Sequence, residues 1–419
     1  MGCKANQFEG AIIKENLIKN GMVEVNNLND ADYYILNSCS VTHKSDHEAL
    51  YNLRSAKHKS PKIITVLTGC IAQIEKDNLI KEDFIDYVIG NDEKLRLYDY
   101  INSDTKVHTQ DIMHQEKFTP AILHDTAKTR ASLKIQDGCD NRCSYCIIWK
   151  ARGKSRSADL DFIVNQINHF AQTGFKEVVL TGIHIGQWGK DIGLTMIDLI
   201  NAIENETNIP RYRLGSLNPT EINDELLEIL SKSQKFCPHF HLSLQSANDK
   251  TLKSMNRFYK TDFYLEQIKK INSIFHLPFL GSDIITGFAG ETDEDFEITR
   301  KNLENSGLTQ IHTFPYSIRK GTIGADMPNQ VPDNIKQQRA DIIKTLSKQK
   351  YTEFIKKNIG TIQEVLIEKH RDKHTNNLKG RTRNYLPVQI ISDSEDIYNS
   401  LQNVTLTKFE NGNIYGEIN

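Results

Sequence analysis

The 419-residue chain has a formal net charge of -2, with 38% hydrophobic and 25% charged residues; that length exceeds one ordinary core and calls for two or three soluble domains. Near-neutrality excludes a global field for nucleic acid, so any basic surface has to be local. No run approaches the roughly 20 apolar residues of a membrane-spanning helix, and no basic stretch followed by an apolar one opens the chain, which argues against secretion.

Gly2 could open an N-myristoylation signal, but Asn6 stands where that signal requires Ser or Thr. The expected location is the cytoplasm. The seven cysteines (Cys3, Cys39, Cys70, Cys139, Cys143, Cys146 and Cys237) are an odd number in a reducing compartment, so they argue for metal ligation over a disulfide framework.

The first hundred residues alternate apolar strands with helical patterns. "EGAIIKENLIKNG" and "HEALYNLRSAKHK" carry helical period, while "ADYYILNSC" and "KIITVLTGC" are buried strands that run straight into Cys39 and Cys70. This alternation predicts a parallel sheet covered by helices on both faces. Residues 103–130 are polar and mixed, and read as a linker or irregular crossover. From Ala131, "SLKIQ", "EVVLTG", "RYRLGS", "HFHLSLQ", "FLGSDIITGF" and "IHTFPYS" are strands. "LDFIVNQINHFAQTG", "DELLEILSKS" and "TDFYLEQIKKINSIF" are helices between them. Six such strand–helix units predict a partial or complete barrel, with its chemistry at the C-terminal strand ends. A long helix, "NIKQQRADIIKTLSKQKYTEFIKKN", closes this block. Beyond it "TIQEVLIE", "LPVQII" and "NVTLTKF" form a small all-β appendage.

"CDNRCSYC" spaces Cys139, Cys143 and Cys146 as C-x3-C-x2-C in the loop after the strand "SLKIQ". Three thiolates this close suit three corners of a cubic iron–sulfur cluster, with the fourth iron open to a small molecule. The alternatives are a zinc site, with His184 as a fourth ligand, or incidental thiols; structural zinc prefers four protein ligands. At successive strand ends stand Thr181 and Gly182, then Ser243 and Gln245, then Asp283, Gly287 and Gly290. Each is weak alone, and their recurrence fits a cofactor-lined barrel mouth.

The C-x3-C-x2-C loop resembles that of the radical S-adenosylmethionine family. The resemblance implies that S-adenosylmethionine chelates the open iron and that an electron from the cluster makes a 5′-deoxyadenosyl radical. Tyr145 matches the family's aromatic position near the adenine. Thr181, Gly182, Ser243, Gln245, Asp283 and Gly287 are the further cofactor-binding candidates.

Cys3, Cys39 and Cys70 form a second set, spaced like strand–helix units, and parallel strands would bring them to one sheet edge. Two such triads, with "GCKANQFE", "LNSCSVTHKSD", "LTGC", "KIQDGCDNRCSYCII" and "FPYSIRKGT", resemble the methylthiotransferases over nearly the whole chain. The likeness is greatest to the branch that modifies N6-threonylcarbamoyladenosine in tRNA beside the anticodon. It implies an α/β fold: an N-terminal parallel-sheet cluster domain (1–110), a radical core built as a partial (β/α)6 barrel (125–357) and an all-β TRAM domain (358–419). It also implies two 4Fe-4S clusters, S-adenosylmethionine, the tRNA anticodon stem-loop as partner and an electron donor such as a flavodoxin or ferredoxin. The same chemistry on isopentenyladenosine or on a ribosomal-protein aspartate is the near alternative. An RNA-binding or electron-transfer protein with structural clusters is the distant one. Two departures stand out: family members usually place a strand, internal to the sheet, before "GCK", and Trp149 stands where the pattern has Pro.

"KHRDKHTNNLKGRTR" holds Lys369, Arg371, Lys373, Lys379, Arg381 and Arg383 against one acid, Asp372. On a TRAM-like domain it is a candidate phosphate-binding ribbon; composition alone favours a solvated loop. Arg152 and Arg156 either hold a substrate anion or brace the cysteine loop. Cys237 reads as a buried core thiol; His239 and His241 share one strand face and read as satisfied core residues, with cavity lining the alternative.

Overall fold

The computed structural model describes residues 2–40, 42–124, 128–392, 394 and 396–419. Cys3 is the N-cap of α1 (Lys4–Lys19), which buries Ala5, Phe8, Ile12 and Ile13 on one stripe. There follow β1 (Tyr33–Ser38), α2 (His43–Lys59), β2 (Ile64–Gly69), α3 (Cys70–Ile74), α4 (Lys76–Leu79), β3 (Tyr87–Ile89) and β4 (Val107–His108). The strands form one parallel sheet in the order β1-β2-β3-β4. Strand alternation divides the core. Leu67 joins Leu36, Leu53 and Val88 on one face, while Val66 joins Ile13, Ile89 and Leu97 on the other. The sheet forms although no strand precedes α1 among the described residues. β1 is its edge, beside a groove of about 440 Å³ between Asn6, Gly10 and Asn52. The segment read as a linker supplies β4 and a 3-10 turn at Ile112–His114; its residues 125–127 lie outside the described set.

The middle of the chain runs β5 (Ala131–Lys134), β6 (Gln136–Asp137), α5 (Ile148–Arg152), β7 (Arg156–Ser157), α6 (Leu160–Gln172), β8 (Glu177–Thr181), α7 (Met196–Glu206) and β9 (Arg211–Leu214). It continues through α8 (Asp224–Lys232), β10 (His239–His241), α9 (Asp249–Ser254), α10 (Thr261–Ile274), β11 (Phe279–Thr286), α11 (Asp293–Glu304), β12 (Gln310–Pro315), α12 (Ile323–Asp326) and α13 (Asp333–Asn358). β5-β8-β9 and β10-β11-β12 are two parallel sheets, linked between β9 and β10 by the parallel bridges Tyr212↔Phe236 and Leu217↔Leu242. All six strands expected from the sequence are therefore present, as an open barrel.

Alternation again assigns the faces. Ala131, Leu133, Val178, Leu180, Tyr212, Leu214, Phe240, Leu280 and Ile284 enter the core beneath the helices. Their neighbours Lys134, Glu177, Arg211, Arg213, His239, His241, Asp283 and His312 therefore face the lumen, which is polar and not a packed hydrophobic plug.

The last five strands are β13 (Ile362–Ile367), β14 (Leu378–Thr382), β15 (Pro387–Ile390), β16 (Leu401–Glu410) and β17 (Asn413–Ile418). They close into a small barrel, order β13-β14-β15-β17-β16, around Val365, Ile367, Leu378, Val388, Ile390, Val404, Leu406 and Ile414. Sequence periodicity missed β14, because "LKGRT" alternates Leu and Gly inward with Lys and Arg outward and has one large apolar residue to signal it. Among the described residues no helix is long and apolar enough to cross a membrane.

Candidate active site

Cys139, Cys143 and Cys146 lie in the loop between β6 and α5, at the C-terminal end of the first barrel strands. The loop is held by its backbone. Gly138 has φ +75°, and a Cβ there would collide with the Lys154 carbonyl, so the close crossing of the two chain segments needs glycine. Cys139 N–H donates to Gly153 O at 3.0 Å, and Ser144 N–H to Met255 O at 3.0 Å. The three thiols sit within electrostatic reach of one another. Burial, then Cys146 and Cys143, push Cys139 up to about 12, and burial, then Cys143, pushes Cys146 up to about 11. Cys139 and Cys146 hold their protons until a cation neutralises their thiolates. Among the described residues no three His, Cys, Asp or Glu side chains converge tightly enough for a single metal ion. A cysteine-only triad of that kind fits a cuboidal cluster better than a mononuclear zinc site.

Second contacts orient the thiols. Arg257 Nη1 donates to Cys143 Sγ at 3.4 Å and Nη2 to Ser243 O at 3.0 Å. Ile148 N–H donates to Cys146 Sγ at 3.4 Å. His184 Nδ1 lies 3.5 Å from Cys139 Sγ, while its Nε2 engages Glu221 and Asn218. His184 is thus a satisfied side chain oriented from behind, not a fourth ligand. His184, Asn218, Glu221 and Arg257, with Gln187, Asn256 and Tyr259, line a cavity of about 170 Å³ beside the loop. Arg257, Asn218 and Glu221 escaped the sequence reading, since "NRFY" and "NPTE" carry no spacing signal of their own. Trp149, the departure from the family pattern, is the second residue of α5 and lies under the Arg142 guanidinium, 4.3 Å from ring centre to carbon.

The second triad gathers at the C-terminal edge of the N-terminal sheet, as expected. β1 and β2 are in register from Tyr33↔Ile64 to Ser38↔Gly69, so Cys39 and Cys70 leave adjacent strand ends together. Gly69, at φ +97°, lets the β2 end pass against Ser38, where a Cβ would strike its backbone. Gly2, at φ +96°, does the same against Cys39. Cys3, exposed as a residue, has its thiol crowded against Cys39; their hydrogen bond, then that crowding of the sulfur, push the thiol far up. Arg152, fully buried on α5, lies within electrostatic range of Cys3 and Cys70. The same α5 follows the Cys146 loop directly, so the two triads flank one short helix.

The strand-end candidates divide. Tyr145 packs with Met255, Phe288 and Tyr316, beside the loop. Gly182 is bare because Gln136 occupies its side, where Oε1 accepts from Ile183 and His184 N–H; its neighbour Thr181 is buried, with its carbonyl taken by Ile135 N–H. Ser243 offers its carbonyl to Arg257 and Tyr259. Gln245 adopts φ +73° and bridges β11. Gly287, at φ +70°, lies against Lys336. Asp283 faces His241 Nε2 at 3.3 Å, and His241 Nδ1 is 2.9 Å from Ser216 Oγ. His312 stacks 5.6 Å from His241, and its pKa is lowered by burial, then by His241. His241, read from sequence as a core residue, is thus part of a hydrogen-bonded lumen chain. His239 is buried between Phe279 and Tyr385, and burial, then Arg213, hold it neutral. Cys237 is fully buried, away from both triads.

The basic ribbon is less uniform than its composition. Lys373 is exposed; Lys379 pairs with Glu368 at 3.6 Å, and Lys369 covers the Phe175 ring at 4.8 Å. Arg371 donates to Ser392 O at 2.8 Å and Arg381 to Tyr385 O at 3.0 Å. Arg383 donates to Phe236 O at 2.6 Å and Gln234 O at 2.7 Å, both on the large barrel. Arg383 therefore docks the small barrel. Arg152 and Arg156 are buried and pair with Glu9 and Asp137, so they brace the cysteine loop.

Two family models match: the Radical SAM superfamily over residues 133–303 and uncharacterized protein family UPF0004 over residues 1–90. The fold is similar to that of the radical S-adenosylmethionine methyltransferase TsrM from Kitasatospora setae, with TM-score 0.57 at 12% identity, covering 76% of this chain and 74% of that one. The threonylcarbamoyladenosine tRNA methylthiotransferase MtaB of Bacillus subtilis is 31% identical, covering 97% of this chain and 92% of that protein. The tRNA-2-methylthio-N(6)-dimethylallyladenosine synthase of Clostridium botulinum is 32% identical, covering 99% and 95%. The MtaB protein of Rickettsia prowazekii is 38% identical over 93% of this chain and 90% of its own length. With both triads in place and likeness of this extent, the chain belongs to the radical S-adenosylmethionine methylthiotransferase family.

Proposed function

We propose that the chain inserts a methylthio group at C2 of N6-threonylcarbamoyladenosine at position 37 of tRNA, gripping the anticodon stem-loop. The observation that carries this reading is the pair of cysteine-only triads on either side of α5, both beside a polar barrel lumen. The family works with S-adenosylmethionine and two 4Fe-4S clusters. In the proposed assignment Cys139, Cys143 and Cys146 hold one cluster and Cys3, Cys39 and Cys70 the other. Bound there, these groups supply the radical that removes an inert C–H hydrogen and the sulfur that replaces it.

The chain's own work is positioning. Arg257 and His184 fix two thiols, Gly138 keeps the loop closed on itself, and Gly153 lets it pass against Ile112. Ser216, His241, Asp283 and His312 offer hydrogen bonds to a base splayed into the lumen. Tyr145, Thr181, Gly182, Ser243, Gln245, Asp283 and Gly287 remain the proposed cofactor-side residues. Lys369, Arg371, Lys373 and Lys379 supply phosphate contacts from the TRAM domain (358–419), which follows the cluster domain (1–110) and the radical core (125–357). A flavodoxin or ferredoxin in the cytoplasm is the proposed electron source.

The relatives' names support the substrate: the Rickettsia prowazekii, Aquifex aeolicus and Thermotoga maritima MtaB proteins are 36–38% identical to the chain. The Clostridium botulinum relative, at 32% over 99% of the chain, favours dimethylallyladenosine as the second reading. Mass spectrometry of tRNA nucleosides from a strain lacking the gene separates them. Loss of 2-methylthio-threonylcarbamoyladenosine, with its unthiolated precursor accumulating, is expected. Persistence of that nucleoside, with no redundant enzyme present, refutes the assignment, and loss of the dimethylallyl derivative installs the alternative.

A further inference from the structure

The two triads are separated by a buried charge network, part of which braces the cysteine loop. Glu9 of α1, fully buried, accepts from Arg152 Nη1 at 2.5 Å and Nη2 at 2.9 Å, from Lys134 Nζ at 2.8 Å and, as an ion pair, from Lys94 Nζ at 2.6 Å. Asp137 of β6 adds Lys134 at 3.0 Å, Arg152 at 3.4 Å and Arg156 at 3.9 Å. Four cations thus enclose two carboxylates, and all six side chains are at most 8% exposed. Two positive charges in this group have no carboxylate to match them. An unbalanced buried charge is costly unless another anion is near.

The direction of that surplus is visible. Arg152 lies within electrostatic range of Cys3 and Cys70, and Lys94 within range of Cys70. Arg152 Nε, although buried, has no hydrogen-bond partner among the described residues. Burial, then Arg152, lower the pKa of Lys94, as a crowded cation requires.

We propose that Arg152 and Lys94 are electrostatic positioning residues for the N-terminal cluster: their surplus charge, aimed at Cys3 and Cys70, holds the cluster and raises its reduction potential. This rests on the reading that Cys3, Cys39 and Cys70 bind an iron–sulfur cluster. Reduction adds negative charge to a thiolate-bound core, so a nearby fixed cation favours the reduced form. Arg152 belongs to α5 of the barrel, so the N-terminal cluster is set in part by the other domain. Docking of the two domains and the poise of that cluster become one event.

The experiment uses the full chain with Cys139, Cys143 and Cys146 changed to Ala, so that only the N-terminal cluster remains. Iron and sulfide are counted, and the midpoint potential is read by electron paramagnetic resonance. In this background, R152Q is expected to shift the midpoint to more negative potential, and R152K to keep it near the parent. K94Q is expected to shift it in the same direction, and supplies the reading if R152Q fails to load. A background protein that binds no iron overturns the cluster reading and the proposal with it. Loaded variants whose midpoints equal the parent's overturn the proposal alone and leave the network a structural latch.

Discussion

Glu177→Gln tests how the small C-terminal barrel is attached. Glu177 opens β8, is fully buried, and accepts from Arg211 Nε at 3.0 Å and Nη2 at 2.5 Å and from Arg213 Nε at 2.7 Å and Nη2 at 3.3 Å. Burial alone would raise its pKa, but Arg213 and Arg211 overcome that and hold it far below the usual carboxylate range. The same arginines reach across to the small barrel: Arg213 donates to Thr382 O at 2.7 Å and Arg383 O at 2.5 Å, and Arg211 to Arg381 O at 3.3 Å. A glutamine keeps one acceptor oxygen, turns an NH2 toward donors, and leaves two buried guanidiniums without their carboxylate. Removing one partner of such a buried pair costs about 3–5 kcal/mol. Glu364 is the control, because it meets Arg211 at 3.6 Å and Arg383 at 3.3 Å while one-third exposed; its loss, screened by solvent, should cost about 1 kcal/mol or less. Urea unfolding of the apo full-length protein measures both, and limited proteolysis near 358–362 reports detachment. E177Q should unfold at lower urea and be cut there first. Equal midpoints for E177Q and E364Q would show that the arginine cage does not hold the domains together.

Three further outcomes are expected. Cys39→Ala should reduce bound iron from about eight to about four per chain and stop methylthio transfer, yet leave reductive cleavage of S-adenosylmethionine intact; unchanged iron refutes the second triad. Lys373→Ala should lower tRNA affinity and flatten its salt dependence, read by fluorescence anisotropy at several salt concentrations, whereas Arg383→Ala should lower stability and leave the salt slope alone; the reverse pattern would restore Arg383 to the RNA face. Asp137 supplies a pH signature. Burial alone would raise its pKa, but Lys134 and Arg152 override that and hold it at about 2 against an ordinary 3.8. A depressed carboxylate stabilises the fold above its unfolded pKa, so a contribution of about 2 kcal/mol should be present above pH 4 and vanish as pH falls toward 2. Denaturation curves of the apo protein across that window should show the loss, and D137N should lack this component of the slope.

What was legible in the sequence was what chain geometry dictates locally. Cys39 and Cys70 each end a strand, so a parallel sheet had to bring them to one edge. The C-x3-C-x2-C spacing set the barrel triad of Cys139, Cys143 and Cys146, because three thiols within eight residues have little choice but to share a loop. The polar lumen was half legible: "HFH" and "SDII" already alternate, but His241 and Asp283 meet only when β10 and β11 pair His241 with Gly281. Composition misled most in the basic ribbon. Six cations in fifteen residues look like one face, yet Lys379 pairs with Glu368, Arg371 and Arg381 donate to carbonyls of the small barrel itself, and Arg383 donates to carbonyls of the large one.

The buried network between the triads was illegible for a different reason. Glu9, Lys94, Lys134, Asp137 and Arg152 come from five separate elements, with no spacing rule among them, and apart from Arg152 each alone reads as an ordinary charge. Only docking of α1 on the barrel makes them a unit. The sequence names the thiols proposed to hold iron, then, but the charges that face them are assigned by tertiary packing. A substitution far from any cysteine, at Glu9 or Lys134, therefore acts on the N-terminal triad through Arg152.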